Sequence, residues 1–291
     1  MTDFQTKFAV FKATIDEALI AAMDATQSPE PLLSAMRYSL LSEGKRLRPV
    51  LLLAACETAG GDVREALPYA CALEMIHTYS LIHDDLPAMD DDALRRGKPT
   101  NHIVFGEGMA LLAGDGLLSL AFETMLKEAR TTGHIAAMRC IANAAGVRGM
   151  VAGQCLDIHN ASDMRRDSDT LRYIHLHKTA DLFIGAISAG LLLADAPEKK
   201  RAAGERFAKA LGVAFQIRDD LLDTEGNADT IGKQTGMDAC RGKITWPGIY
   251  GVARAKEDLV KWTNEALENI GAFSDGAFMR DATMWLLTRE S

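Results

Sequence analysis

Apolar residues recur every three or four positions along nearly the whole chain. Phe4, Phe8, Phe11, Ile15 and Leu19 make one such stripe, which in a helix lies along a single face. The same period predicts helices over Pro68–Asp85, Gly108–Arg130, Leu171–Ala194 and Ala202–Asp223. No run alternates apolar and polar residues in the manner of a half-buried strand. Breakers gather at Thr58-Ala59-Gly60-Gly61, Pro87, Gly97-Lys98-Pro99, Ala196-Pro197 and Gly226-Asn227; they punctuate helices and form no long linker. The pattern predicts one all-α domain over residues 1–291, with roughly ten or more helices.

Composition sharpens this picture. Hydrophobic residues make up 48% of the 291 positions and aromatics only 6%, enough for a large core rich in Ala, Leu and Met, a mixture that favours helices. The formal net charge of -8 argues against nucleic acid or anionic lipid as a partner, so an anionic ligand would need a local basic cluster. Cysteines stand at 56, 71, 140, 155 and 240, with no Cys-x-x-Cys pair, which fits thiols in a reducing compartment. The beginning, Met1-Thr2-Asp3-Phe4, does not read as a secretion signal. The longest apolar run, Phe183 to Ala194, contains two glycines and is shorter than a bilayer span. The expectation is a soluble cytoplasmic protein with no stable membrane insertion.

Two carboxylate clusters carry the chemistry. In His83-Asp84-Asp85-Leu86-Pro87-Ala88-Met89-Asp90-Asp91-Asp92, five aspartates fall within nine positions. They repel one another unless a cation neutralises them, and all-oxygen ligands suit Mg²⁺ shared with a phosphate. Pro87 disfavours helix at Leu86, so the helix should end near Asp85 and the chain can bring Asp90 back towards Asp84. The second cluster, Gln216-Ile217-Arg218-Asp219-Asp220-Leu221-Leu222-Asp223, sits within a predicted helix, where Asp219, Asp220, Asp223 and Gln216 can share one face. A solvated acidic loop and an amphipathic helix with a charged edge are the plainer readings of the two runs taken singly. Basic residues lie beside both: Lys45 and Arg48 within Gly44-Lys45-Arg46-Leu47-Arg48-Pro49, then Arg95-Arg96-Gly97-Lys98, Lys178-Thr179, Lys233 and Lys243. Acid, metal, phosphate and base in layers is the arrangement expected of a diphosphate site.

These segments resemble the trans-isoprenyl diphosphate synthases. The likeness runs in order through GKRLRP at 44–49, EMIHTYSLIHDDLPAMDDD at 74–92, LRRGKPTNH at 94–102, AGDGLL at 113–118, GQCLD at 153–157, HKTA at 177–180, FQIRDDLLD at 215–223, IGKQTG at 231–236 and GKITWP at 242–247. The spacing before Asp90 resembles the bacterial farnesyl diphosphate synthase subgroup. The resemblance implies an isoprenoid-synthase helical bundle around a deep central cavity, normally a homodimer. It implies Mg²⁺, three ions per site with Mn²⁺ as a substitute, held by Asp84, Asp85, Asp90, Asp219, Asp220 and Asp223. Arg95, Lys178, Lys233 and Lys243 would meet the allylic diphosphate. Gly44, Lys45, Arg48, His77 and Arg96 would take isopentenyl diphosphate, and Thr179 and Gln216 would face a developing carbocation. Tyr79, five before the first aspartate, and its neighbour Ser80 would set chain length, with farnesyl diphosphate as the expected product and geranylgeranyl diphosphate as the alternative. Read without the resemblance, His77 is a hydrogen-bonded core histidine. Trp246 stands where the family often has Tyr or Phe, and the C-terminal Leu287 to Ser291 matches its basic tail poorly, with Arg289 as the one candidate.

Other readings explain less. A helical HD-type metal phosphohydrolase would use His83-Asp84 and leave the Asp219 cluster idle. A terpene cyclase would not need Lys45 and Arg48. A non-catalytic partner subunit would be expected to lack an acidic cluster. An EF-hand counted from Asp90 would need Gly where Arg95 stands.

Overall fold

A computed structural model describes residues 2–163, 167–225, 242–273 and 275–288. The elements are α1 (Asp3–Ala25), α2 (Glu30–Leu40), α3 (Leu47–Thr58), α4 (Val63–Asp84), a short hairpin β1 (Leu94–Arg95) and β2 (Lys98–Pro99), α5 (Asn101–Phe105), α6 (Glu107–Lys127), α7 (Thr132–Ala145), α8 (Met150–Asp163), α9 (Ser168–Ile174), a π-helical turn (His175–Ala180), α10 (Asp181–Leu193), α11 (Glu198–Glu225), α12 (Trp246–Tyr250), α13 (Val252–Ile270) and α14 (Ala277–Thr288). The all-α expectation holds for the described residues apart from that hairpin.

Two helices form the centre. α4 is buried almost continuously from Tyr69 to Ile82, and α10 from Leu182 to Leu191. α4 packs on α3 and α6, while α10 packs on α3, α7 and α11. Because both are surrounded, both are apolar on every side and show no stripe. α1 is the contrasting case: Phe11, Ile15, Leu19 and Met23 face inward and the rest of the helix meets solvent. Tyr69, Phe183 and Phe207 are fully buried; truncating such a ring costs about 3–5 kcal/mol.

The boundaries differ instructively from the sequence pattern. α4 begins at Val63, because the Asp62 side chain accepts from the Arg64 N–H and caps it, and Pro68 is carried inside the helix. The stretch expected as one helix over Leu171–Ala194 contains a π turn at His175–Ala180, a feature that shifts helical register and cannot be seen in apolar spacing. Gly153 of α8 lies against this turn: a Cβ there would meet the backbone of Lys178, its Cα at 2.6 Å. The hairpin turns at Arg96-Gly97, with φ of 53° and 75°, the left-handed pair that a tight two-residue turn requires.

By length and composition, α6 and the continuous stretch Ser168–Leu193 could cross a membrane, a possibility that counting uninterrupted apolar runs had missed. The second is a core element here. α6 packs on α4 and α2 and leaves Leu111, Leu112 and Leu126 exposed.

Candidate active site

α4 ends where Pro87 demands it, and the chain doubles back. The Asp90 N–H donates to the Asp84 carbonyl at 2.9 Å, and the Asp92 N–H to the Asp85 carbonyl at 3.2 Å. Asp90 is thereby returned to Asp84, as the sequence predicted. Asp91 is turned out to solvent with φ of 51°. Asp84 accepts from the Gln154 amide at 2.8 Å. Burial pushes its carboxyl up to about 6, with Asp90 adding to the rise and Lys178, Arg95 and Lys243 opposing it. A carboxylate in that position favours a cation.

Asp85 has a different employment. Both of its oxygens accept from the Arg95 Nε, at 2.8 and 3.0 Å, and Arg95 Nη2 adds a contact of 2.6 Å. It is 3% exposed and holds Arg95 in place.

The second cluster continues α11 without a break. Asp219 and Asp223 are half-buried one turn apart, whereas Asp220 is 2% exposed. Asp220 Oδ1 accepts from the Gln216 amide at 3.0 Å. Its Oδ2 accepts from the Trp246 backbone N–H at 2.8 Å and lies 3.2 Å from His175 Nε2. Both oxygens again meet protein groups, as at Asp85.

Lysines tie the first cluster to Asp157 of α8. Lys178 Nζ donates to Asp157 at 2.6 Å. Lys243 Nζ donates to Asp90 at 3.1 Å and stands 3.8 Å from Asp157. A cavity of about 100 Å³ lies here, lined by Asp157, Lys178, Thr179, Gln216, Asp220 and Lys243 among others. Asp157 and Asp220 therefore address one space, and Lys243 ties Asp90 to its wall. Among the described residues no three carboxylate, His or Cys groups converge on a single point. Mg²⁺ takes one or two carboxylates and completes its shell with water and phosphate oxygens. By the resemblance, the aspartates of the two clusters would hold it.

A basic layer adjoins the acidic one. Arg48 Nη1 is 3.3 Å from His77 Nε2, and its guanidinium sits 4.8 Å from the centre of the Phe183 ring. Arg96 crosses Gly44 and donates to the Glu43 carbonyl at 2.7 Å; a Cβ at Gly44 would stand 2.5 Å from its Nη1. Lys45 Nζ lies 5.9 Å from the Trp285 ring centre. His77 is surrounded by positive charge: burial, then Arg48, Arg96, Arg95 and Arg46, hold its imidazole well below the ordinary range. At neutral pH it is an uncharged hydrogen-bonding group beside guanidinium forks, a cradle for a phosphate. The core-histidine reading named its hydrogen bonding and left out the guanidinium groups around it. The loop itself is pinned by Arg46, which is buried and binds Asp16, Glu74 and the Leu40 and Ser42 carbonyls at 2.8–2.9 Å.

Tyr79 is buried one turn before His83, rings edge-on at 5.7 Å. Ser80 lies one turn before Asp84 and donates to the His77 carbonyl at 2.9 Å. Lys233 and Arg289 lie outside the described residues. Asp157, Gln154 and His175 had been given no role from the sequence. The signal for the first two was present, since Gln154 and Asp157 of GQCLD stand three apart on a helix, but nothing local says that this face meets Lys178.

Comparison with known proteins agrees with this geometry. The polyprenyl synthetase family model matches residues 29–275. A farnesyl diphosphate synthase of Geobacillus stearothermophilus is 46% identical over 91% of each chain. Geranylgeranyl pyrophosphate synthase 7 of Arabidopsis thaliana is 43% identical over 92% of this chain and 78% of its own. An apo crystal structure of an FPP/GFPP synthase from Zymomonas mobilis superposes with a TM-score of 0.88 at 32% identity, covering 98% of this chain and 99% of that one. With both acidic clusters, the lysines at Asp90 and Asp157 and the arginine cradle in place on this bundle, the chain belongs to the polyprenyl synthetase family.

Proposed function

We propose that this polyprenyl synthetase is a short-chain trans-prenyltransferase that condenses isopentenyl diphosphate with dimethylallyl or geranyl diphosphate to give farnesyl diphosphate. One observation carries the reading: lysines from distant segments join Asp90 and Asp157 across one cavity, with an arginine–histidine cradle alongside. A one-diphosphate enzyme has no use for two separate anion sites.

Lys178, Lys243 and Arg95 lie where the allylic diphosphate would lose its C–O bond, and their charges stabilise the leaving group. Mg²⁺, as three ions or with Mn²⁺ in substitution, supplies further neutralisation of that group when bound. Arg48, Arg96 and Lys45 hold the isopentenyl diphosphate, and neutral His77 orients it. The side-chain oxygens of Thr179 and Gln216 face the allylic cation. The isopentenyl double bond attacks that cation, the new C–C bond forms, and one proton is lost to the departed diphosphate. Tyr79, about 7–8 Å along α4 from Asp84 at 1.5 Å per residue, floors the tail. The exposed apolar face of α6, with Leu111, Leu112 and Leu126, is the surface on which a second copy would close a homodimer. A cytoplasmic location belongs to the same proposal.

The test is direct. Pure protein, isopentenyl diphosphate, each allylic primer and Mg²⁺ should yield a fifteen-carbon diphosphate by mass. A twenty-carbon product would move the assignment to geranylgeranyl diphosphate, and Tyr79→Ala should lengthen whichever product forms. Unreacted substrates with every primer would overturn the reading.

A further inference from the structure

The hairpin that carries Arg95 and Arg96 rests on a buried polar knot. Thr100 and Asn101, just past β2, are each 2% exposed. The Asn101 amide Nδ2 donates to the Ala35 carbonyl and to the Ser39 hydroxyl oxygen, each at 2.8 Å. A carbonyl can only accept, so the nitrogen of this amide must face α2. The Asn101 Oδ1 is left buried with no hydrogen-bond partner among the described residues. An acceptor left so is costly, and the contribution of this amide lies in its two N–H groups. Tyr38 adds a third bond from α2, its hydroxyl donating to the Pro99 carbonyl at 2.7 Å. Ala35, Tyr38 and Ser39 stand at i, i+3 and i+4, one stripe of one helix.

The same helix supports the other half of the arginine cradle. α2 ends at Leu40 and runs on into the loop that holds Gly44 and Lys45. Arg96 lies across Gly44, with room for no Cβ between them, and donates to the Glu43 carbonyl. Two arms of α2 therefore fix the distance from Arg96 to the Lys45 segment: the chain itself on one side and Asn101 on the other. Arg95 is gripped separately, by Asp85 at the end of α4. We propose that Asn101 is a positioning residue for isopentenyl diphosphate: its buried amide fastens the hairpin to α2 and so sets Arg96 against Gly44 and Lys45. The proposal rests on the prenyl-transfer reading above. Loss of the amide should loosen Arg96 and leave Arg95 on Asp85.

The experiment compares Asn101→Leu, Arg96→Met and the double variant in the full chain. Asn101→Leu should raise the KM for isopentenyl diphosphate about tenfold, as for one charge-assisted hydrogen bond. The KM for the allylic diphosphate and kcat should stay within about twofold, because only binding of the one substrate is weakened. A general loosening of the fold would raise both KM values together. In the cycle, Asn101→Leu should change the isopentenyl KM of an Arg96→Met enzyme by no more than about twofold. Calorimetric titration of isopentenyl diphosphate into the Mg²⁺-free protein should show the same weakening without turnover. Equal rises in the two KM values, an unaltered isopentenyl KM, or losses that multiply in the cycle would overturn the proposal. If Asn101→Leu gives no cooperative thermal unfolding, Tyr38→Phe removes the Pro99 bond alone; it should raise the isopentenyl KM about threefold, and its cycle with Arg96→Met decides by the same criterion. A wild type that binds isopentenyl diphosphate and does not condense it would sink the prenyl-transfer reading, and calorimetry on the same variants would still decide whether Asn101 acts through Arg96.

Discussion

At Asp84 the chain leaves a helix, and at Asp219 it remains in one. Both clusters are written with a pair of aspartates and a third nearby, yet the backbone treats them differently. After Asp85 the chain reverses, and Asp90 and Asp92 are tied by their N–H groups to the carbonyls of Asp84 and Asp85. In α11 the separation of Asp219 from Asp223 is set by the helical repeat alone. Each cluster also contains one buried carboxylate whose two oxygens both meet protein groups: Asp85 grips Arg95, and Asp220, which also lines the cavity, meets Gln216, Trp246 and His175. Adjacent aspartates on a helix point about 100° apart, so one of a pair can face the cavity while the other faces protein.

That contrast can be broken in graded ways. The largest expected effect is at Asp84. Asp84→Asn should lower kcat by about 10²–10³-fold at saturating Mg²⁺, measured as initial rate; a full-rate variant would remove the first cluster from the chemistry. Pro87→Ala comes next. It lets α4 run on and pulls Asp90 from Asp84, with an expected loss of up to about 10²-fold from misplacement, whereas a silent change would show that the loop reverses without its proline. Lys243→Met removes the bridge to Asp90, and the KM for the allylic diphosphate should rise about tenfold, as for one charge-assisted hydrogen bond, with thermal unfolding little altered. The smallest effect belongs to Asp91→Gly. Asp91 is exposed and left-handed at φ 51°, so the glycine should leave Mg²⁺ binding untouched and change stability by no more than about 1 kcal/mol. Weaker metal binding in that variant would mean that all the carboxylates of the run act together.

Much of the molecule was legible beforehand. The stripe of α1, the paired clusters, the reversal at Pro87 and the basic segment at Lys45–Arg48 all rest on short-range rules, in which neighbours in sequence are neighbours in space. Asp157 and Gln154 were not legible, because their partners Lys178 and Asp84 come from other helices. The π turn was not either, since a register shift leaves the apolar count unchanged. Nor was Arg46, which reads like its basic neighbours Lys45 and Arg48 yet is buried between Asp16 and Glu74 to hold the loop that presents them.

The amino-acid order by itself determined which segments are helical, where they break, and which residue types stand ready to bind a cation and a phosphate, because propensity, proline geometry and helical spacing act over a few residues. Only the tertiary structure decided which further groups each aspartate meets. A carboxylate's surroundings are set by the groups packed against both its oxygens, and at Asp220 two of them, His175 and the Trp246 N–H, arrive from parts of the chain that no local pattern connects.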